Sequence, residues 1–261
     1  SAHSLAVGLA SNPLFERRWK TTIHSYDKFI ADDNYTREYL KNVFYTIRAA
    51  SGDAKEVLHT PEYTEDFLPV FWHQNQRYAD LIEAHKGDFG AMEWDKGPIE
   101  ILFVDVCKMR YLQDHLLKAF VPNLVAGESI LIQQDYNHQW HPYIHLAMEV
   151  LAPCFEVLIP AEAGSRIYYC KDVPSSALIE EAIALDMDSE QIAEAYARIV
   201  QTAPEKTRRM LMVAHVKAQM DAGFDDKARK VADDIHGTFD GADVPVWIKT
   251  SLDKMLTHEP A

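Results

Sequence analysis

Short apolar runs that end in aspartate recur through the first part of the chain, and this pattern limits the folds open to it. The clearest are TTIHSYD at 21–27, YADLIEAHKGD at 78–88, IEILFVD at 99–105 and SILIQQD at 129–135. Continuous apolar strands joined by helix-length connections predict a mostly parallel sheet covered by helices on both faces. Ligands of such sheets bind outside the carboxyl ends of the strands. The terminal aspartates are therefore candidate site residues, although each could instead only cap the following turn.

The last two runs, FEVLIP at 155–160 and SRIYYCKD at 165–172, are separated only by AEAG. This connection is too short for a crossover helix, so the two runs predict an antiparallel hairpin at one edge of the sheet. The expected fold class is therefore α/β, with a mostly parallel sheet that ends in an antiparallel hairpin.

After Pro174 the apolar residues no longer form short continuous runs but recur at the spacing of a helix. Segments 175–201, 207–223 and 225–237 carry apolar residues three and four positions apart and predict three helices, with stops at Gly223 and Gly237. The sequence thus predicts two domains, an α/β domain over residues 1–173 and an α-helical region over residues 174–261. Packing is the expected role of the Met and Ala stripes on these helices, and an interaction surface is the alternative.

The net charge and the cysteine content limit which binding partners and which cellular compartment we expect for this protein. The formal net charge of −14 disfavours binding to nucleic acid or to an anionic membrane, because both require a basic face. The three cysteines form no CxxC pair, which argues against a disulfide framework and a Cys-rich zinc site. No apolar run reaches the roughly 18 residues of a membrane span. We expect a cytoplasmic protein with a small-molecule or protein partner.

The order of these motifs resembles the class I S-adenosylmethionine-dependent methyltransferases. The motifs are HSYDKF, KGDF, FVD and QQDY, with PNLVAGES before the last. Within the family the chain is most similar to the group that includes the macrocin-type sugar O-methyltransferases, and the resemblance covers roughly residues 1–173. It implies a Rossmann-like methyltransferase fold with S-adenosyl-L-methionine as cofactor. The absence of a G-x-G-x-x-G motif disfavours a dehydrogenase.

The resemblance also implies a strand and a glycine-rich loop ahead of the segment that begins at Ser1. The small residues after Ser1 resemble the end of such a loop as it leads into a helix. We therefore expect the first strand of the fold to be missing from this chain, or to be supplied by another segment. A sheet without its central strand would leave two strand edges unpaired.

Four residues match cofactor-binding positions of the family. The resemblance assigns Asp27 to the ribose hydroxyls, for which a carboxylate offers two acceptor oxygens. Asp88 matches the residue near the adenine amino group, with Phe89 as a wall against the ring, and Asp105 faces cofactor and acceptor at the end of the fourth strand. A turn-forming role beside Gly87 is the alternative for Asp88.

The family's metal-binding acids are largely replaced in this chain. Metal-dependent members place an acid two positions after the fourth-strand aspartate and an Asp-Asp pair at the end of the fifth strand, to hold a divalent ion. Here these positions hold Cys107 and the pair Gln134–Asp135. We therefore expect no metal at this place, with Asp135 and His138 as the catalytic candidates.

Three histidines follow Asp135, at positions 138, 141 and 145. Their spacing leaves three interpretations: a zinc or iron site, a general base at His138, or packed and surface histidines without chemistry. An aromatic-rich helix that begins near Pro142 favours the last two.

Two functions are compatible with these motifs and candidate residues. The first is an S-adenosylmethionine-dependent methyltransferase acting on an oxygen of a small molecule or glycan. The second is a non-catalytic methyltransferase-like domain for binding or assembly, within a larger polypeptide. A homo-oligomer or a partner domain of the same polypeptide is compatible with either.

Overall fold

The protein is described by a computed structural model over residues 2–13, 23–31, 34, 37–39, 41–42, 66–162, 164–238 and 246–257. It divides into two compact units, residues 1–92 and residues 93–261. Each unit contains both helices and strands, so the predicted mixed α/β class is confirmed. The predicted boundary at residue 173 lies inside the second unit, and that division of the chain stays a prediction.

The first unit is built around a pair of parallel strands. Its elements are α1 (Ala2–Ser11), β1 (Ile23–Asp27), α2 (Leu68–Asn75) and β2 (Ile82–Lys86). In the register of the pair, Ile23 lies opposite Ile82 and Asp27 lies opposite Lys86. The two strands therefore end at the same edge of the sheet.

An aromatic cluster fixes the chain just after β1. Phe29 is buried and has a φ of 53°, in the left-handed region that a side chain of this size rarely enters. Its ring packs edge-on against Phe67 and Phe71, with centroids 5.4 Å and 5.1 Å away. This packing holds the turn that follows Asp27.

The second unit contains a four-stranded sheet in the order β3-β4-β6-β5. Its strands are β3 (Ile101–Val104), β4 (Ile130–Gln133), β5 (Phe155–Glu162) and β6 (Ser165–Cys170). β3 and β4 are parallel and are joined through α3 (Arg110–Ala119), which is the crossover that the sequence predicts. β6 pairs antiparallel with both β4 and β5.

The predicted antiparallel hairpin is present as β5 and β6, with β5 at the sheet edge. Its turn is tighter than AEAG implies, because β5 runs to Glu162 and β6 begins at Ser165. Gly164 adopts a φ of 93°, a conformation open to glycine at little cost.

The described strands belong to two separate sheets. In the part of the chain that the structure describes, β1 is hydrogen-bonded to β2 alone and β3 to β4 alone. The described strands include none that corresponds to the further strand implied by the resemblance.

The prediction of three helices after Pro174 is wrong in number. The structure has α5 (Ser176–Ala184), α6 (Ser189–Thr202), α7 (Glu205–Asp221), α8 (Asp225–Thr238) and α9 (Val246–Leu256). The first predicted segment breaks in two because Leu185 turns left-handed, with a φ of 49°, and Asp188 starts a new helix. Gly223 ends α7 as expected, whereas α8 continues through Gly237.

These helices pack closely against the rest of the second unit. α4 (Pro142–Val150) contacts α5, α6 and α7, and α3 contacts α5. α7, α8 and α9 share a buried apolar core, against which the partly buried ring of Trp140 also packs. The loop between β4 and α4 is thereby fixed to the helical layer.

No helix in the described residues is long and apolar enough to cross a bilayer.

Candidate functional site

Two aspartates and one lysine meet at the carboxyl ends of β3 and β4. Asp105 follows β3 directly, and Asp135 lies two residues after β4. The Nζ atom of Lys108 lies 3.4 Å from Oδ1 of Asp105 and 3.6 Å from Oδ2 of Asp135. The parallel strands thus bring both sequence-predicted acids to one ammonium, a contact that the sequence pattern does not predict.

The neighbouring charges affect the protonation of Asp105 and Lys108. Burial raises the pKa of Asp105, Lys108 opposes this, and the negative charge of Asp135 adds to it. Burial lowers the pKa of Lys108, but the two carboxylates more than offset that effect, so its pKa is raised overall. Lys108 therefore carries a positive charge at neutral pH, at a position close to both acids.

Asp135 occupies a backbone conformation that a non-glycine residue seldom adopts. Its φ is 59°, and its carbonyl accepts a hydrogen bond of 2.9 Å from the amide of His138. Such left-handed residues cost free energy and cluster at functional sites. The turn directs the chain from the end of β4 into the histidine-containing loop.

His138 and His141 stack on each other and connect to Tyr143. Their ring centroids are 4.4 Å apart with the planes inclined by 19°. The hydroxyl of Tyr143 lies 3.0 Å from Nδ1 of His141 and donates to the carbonyl of Cys107, also at 3.0 Å. With the hydroxyl proton used in this way, His141 donates from Nδ1 and keeps Nε2 as its acceptor.

Both imidazoles are neutral near pH 7. Burial lowers the pKa of His138, with Asp135 acting in the opposite direction. Burial and the proximity of His138 lower the pKa of His141 to about 4. A neutral imidazole can accept a proton from a hydroxyl, which is the chemistry expected of a general base.

His145 is separate from this group and has a structural role. It is fully buried, its Nε2 donates to the carbonyl of Tyr136, and its Nδ1 lies 2.8 Å from the hydroxyl of Tyr196. Burial lowers its pKa to about 3. Both ring nitrogens are used within the protein, so the interpretation of His145 as a metal ligand is wrong.

Cys107, which the resemblance aligns with a metal-binding acid, carries no charge near neutral pH. It is buried, and burial raises the pKa of its thiol to about 12. A thiol in this state is protonated near neutral pH and is therefore a poor nucleophile. Gln134 extends the β3–β4 pairing, because its amide donates to the carbonyl of Val104 at 2.9 Å.

The proposed cofactor residues of the first unit lie at the end of its parallel pair. Asp27 ends β1, and its Oδ1 accepts a hydrogen bond of 2.7 Å from the amide of Phe29. Asp88 follows β2, and its Oδ1 accepts from the amide of Gly90 at 3.0 Å, which is the turn-forming role. Phe89 is buried, and its ring packs edge-on against Tyr26 with centroids 6.5 Å apart.

A second cluster in the first unit was missed by the sequence analysis. His24 on β1 and Glu83 and His85 on β2 bring possible ligand atoms within 4.8 Å of one another. The signal was present as H-S-Y-D in one strand and E-A-H-K in the next, where residues two apart share a face. Only the register of the strands shows that the two faces coincide.

Comparison of the chain with models of protein families, with curated proteins and with solved structures gives no match.

Proposed function

We propose that the protein is an S-adenosylmethionine-dependent methyltransferase that acts on a hydroxyl group of a small molecule or glycan. The observation that carries this proposal is the group of Asp105, Lys108, Asp135 and His138 after the parallel strands β3 and β4. These strands are followed by the antiparallel hairpin that the family resemblance implies.

Methyl transfer requires few catalytic groups from the protein. S-adenosylmethionine supplies an already activated methyl group, so the protein has to align the acceptor and remove its proton. His138, neutral near pH 7, is the base in this proposal, and Asp135 favours its protonated form electrostatically. The ammonium of Lys108 stabilises negative charge that develops on the acceptor oxygen, the task that a divalent ion performs in metal-dependent members.

The cofactor residues assigned by the resemblance are chemically suited to that role. Asp27 is exposed and uses Oδ1 for the turn, and its second oxygen is the acceptor that we assign to a ribose hydroxyl. Asp88 is held by its own turn, with Phe89 beside it, and is assigned to the adenine end.

Calorimetric titration of the folded protein with S-adenosylmethionine and with its demethylated product tests the proposal. We expect saturable binding of both, weakened at least about tenfold in Asp27→Ala, because a charge-assisted hydrogen bond contributes about 1.5 to 3 kcal/mol. Asp80→Ala, an exposed aspartate ahead of β2, is the matched control and should bind as the unmodified chain does.

The alternative is a non-catalytic methyltransferase-like domain for binding or assembly. The ion pairs of Lys108 favour it, because an ammonium that joins Asp105 and Asp135 is also a plain structural link. Folded protein that binds neither nucleoside at millimolar concentration would contradict the enzyme proposal and support this alternative.

A further inference from the structure

His24, Glu83 and His85 form a compact group on one face of the β1–β2 pair. We propose that these three side chains bind a divalent transition-metal ion of the Zn²⁺ type. The proposal concerns the first unit alone and does not depend on methyl transfer.

The spacing of the ligand atoms fits a single ion. Nδ1 of His24 lies 2.9 Å from Nε2 of His85. The carboxylate of Glu83 offers one oxygen 3.5 Å from the first nitrogen and its other oxygen 3.6 Å from the second. Ligands bound about 2.0–2.2 Å from Zn²⁺ lie about 2.9–3.5 Å apart for angles from 90° to tetrahedral. The three side chains thus need only small adjustments to share one ion.

The strand register explains why these residues converge although they are far apart in sequence. His24 lies directly opposite Glu83, and Tyr26 lies opposite His85. Residues two apart on a strand share a face, so all four side chains lie on the same side of the pair. Because hydrogen bonds along both strands fix this register, the ligand positions are set by the backbone.

Tyr26 supports the group from the next position along β1. Its ring stacks on the imidazole of His85, with centroids 4.3 Å apart and planes inclined by 9°. The His24 and His85 rings also stack, with centroids 5.2 Å apart. Packing of this kind restricts the rotation of a ligand ring, which lowers the entropic cost of binding an ion.

The set of ligands indicates the class of metal. Two imidazoles and one carboxylate suit Zn²⁺, Fe²⁺ or Co²⁺, whereas Mg²⁺ and Ca²⁺ prefer oxygen ligands. The imidazole side chains are only 10% and 22% exposed, and the Glu83 side chain is 48% exposed. Three protein ligands with one at the solvent leave room for water on the ion, as in catalytic rather than structural zinc sites.

A hydrogen-bonded histidine pair beside a glutamate is the competing explanation of the same contacts. Such a pair shares one proton between Nδ1 of His24 and Nε2 of His85, and the contact then needs no metal ion. Metal binding by the intact chain therefore separates the two explanations.

The experiment uses the full chain freed of metal by a chelator. Titration with Co²⁺ should give visible absorption of protein-bound cobalt that saturates at one ion per chain, and added Zn²⁺ should displace it. We expect a Zn²⁺ dissociation constant at or below about 10 µM for three ligands, and no displacement by Mg²⁺.

Variants identify the ligands. His85→Ala and Glu83→Gln should each weaken Zn²⁺ binding more than about 100-fold, because loss of even an outer-shell partner costs 10–100-fold. Glu83→Gln keeps the shape of an exposed residue, so it tests the site even if His85→Ala impairs folding. His73→Ala, an exposed histidine on α2 of the same unit, and His138→Ala in the second unit are the controls and should bind normally.

Two results would overturn the proposal. One is folded, metal-free protein that binds neither Co²⁺ nor Zn²⁺ below about 100 µM, a weakness expected of scattered surface histidines. The other is binding that His138→Ala abolishes and Glu83→Gln leaves unchanged, which would place the ion elsewhere.

Discussion

At the residue scale, His145 joins the loop after β4 to the helical layer through two hydrogen bonds. His145→Ala removes a buried ring and leaves the Tyr196 hydroxyl and the Tyr136 carbonyl without these partners. We expect the free energy of unfolding to fall by about 3 to 5 kcal/mol, as for other buried large-to-small changes that also orphan polar groups. Urea denaturation measures this loss.

His138→Ala is the matched control for that substitution. His138 is an exposed residue, although its ring stacks on His141, so we expect a change of at most about 1 kcal/mol. Equal losses from the two substitutions would contradict the structural role assigned to His145.

Two substitutions in the charge cluster formed by Asp105, Lys108 and Asp135 should shift the pKa of Asp105 in opposite directions. Lys108→Met removes the positive charge that opposes the raised pKa of Asp105, so this pKa should rise further. Asp135→Asn removes a negative charge, so the same pKa should fall. Carboxyl-carbon NMR of Asp105 across a pH titration measures both effects.

Lys118→Met serves as the control, because this lysine pairs with Glu180 instead of Asp105. A pKa of Asp105 that moves in the same direction in Lys108→Met and Asp135→Asn would show that the three groups do not interact as described.

At the scale of the element, the start of α6 depends on one aspartate. Asp188 accepts hydrogen bonds of 2.9 Å from the amides of Glu190 and Gln191, and the Gln191 side chain accepts from the Asp188 amide at 2.8 Å. Asp188→Ala breaks this capping box, and we expect a loss of about 1 kcal/mol in thermal or urea unfolding.

Asp186→Ala changes an exposed aspartate in the same connection that is outside the capping box, and should alter stability by less than about 0.5 kcal/mol. If both variants lose the same amount, net charge and not the cap explains the effect.

The elements that sequence could predict are those whose pattern is local. Apolar runs placed β3 and β4, and the short AEAG connection predicted the β5–β6 hairpin. The break between α5 and α6 was missed because apolar spacing continues through Leu185, although Asp188 and Gln191 form the sequence pattern of a capping box. Turn conformation at a leucine is decided by tertiary packing, which the local sequence does not encode.

The same distinction between local sequence pattern and tertiary structure applies to the candidate site. Asp105 and Asp135 were predicted because each ends an apolar run. Their link through Lys108 was not, because it requires the parallel register of β3 and β4. His24 and His85, 61 positions apart, were missed for the same reason, since only strand pairing makes them neighbours.

At the scale of the whole molecule, buried histidines make the second unit sensitive to acid. Burial lowers the pKa of His145 to about 3 and those of His141 and His215 to about 4. Unfolding restores values near 6.5, so below that pH the unfolded chain binds more protons than the folded one. The free energy of unfolding should therefore fall as the pH drops from about 6.5 toward 5, by up to about 1.4 kcal/mol per pH unit for each proton.

His215→Gln tests the number of protons involved. The ring of His215 stacks on Tyr196 with centroids 4.9 Å apart, and the substitution removes one titrating group from this region. On acidification from pH 8, the variant should lose less free energy of unfolding than the unmodified chain does. The slope of this free energy against pH should be smaller by the contribution of about one proton. An unchanged slope in urea unfolding at several pH values would rule out His215 as one of the groups.

The three cysteines are all free and buried in the second unit, and burial raises the pKa of each thiol. Alkylating reagents attack thiolates, so the folded unit is chemically protected and labelling has to wait until the chain opens. Cys107 lies beside the charge cluster, whereas Cys154 and Cys170 flank the hairpin. The order in which they are labelled thus records whether this unit opens first at its catalytic candidates or at its sheet edge.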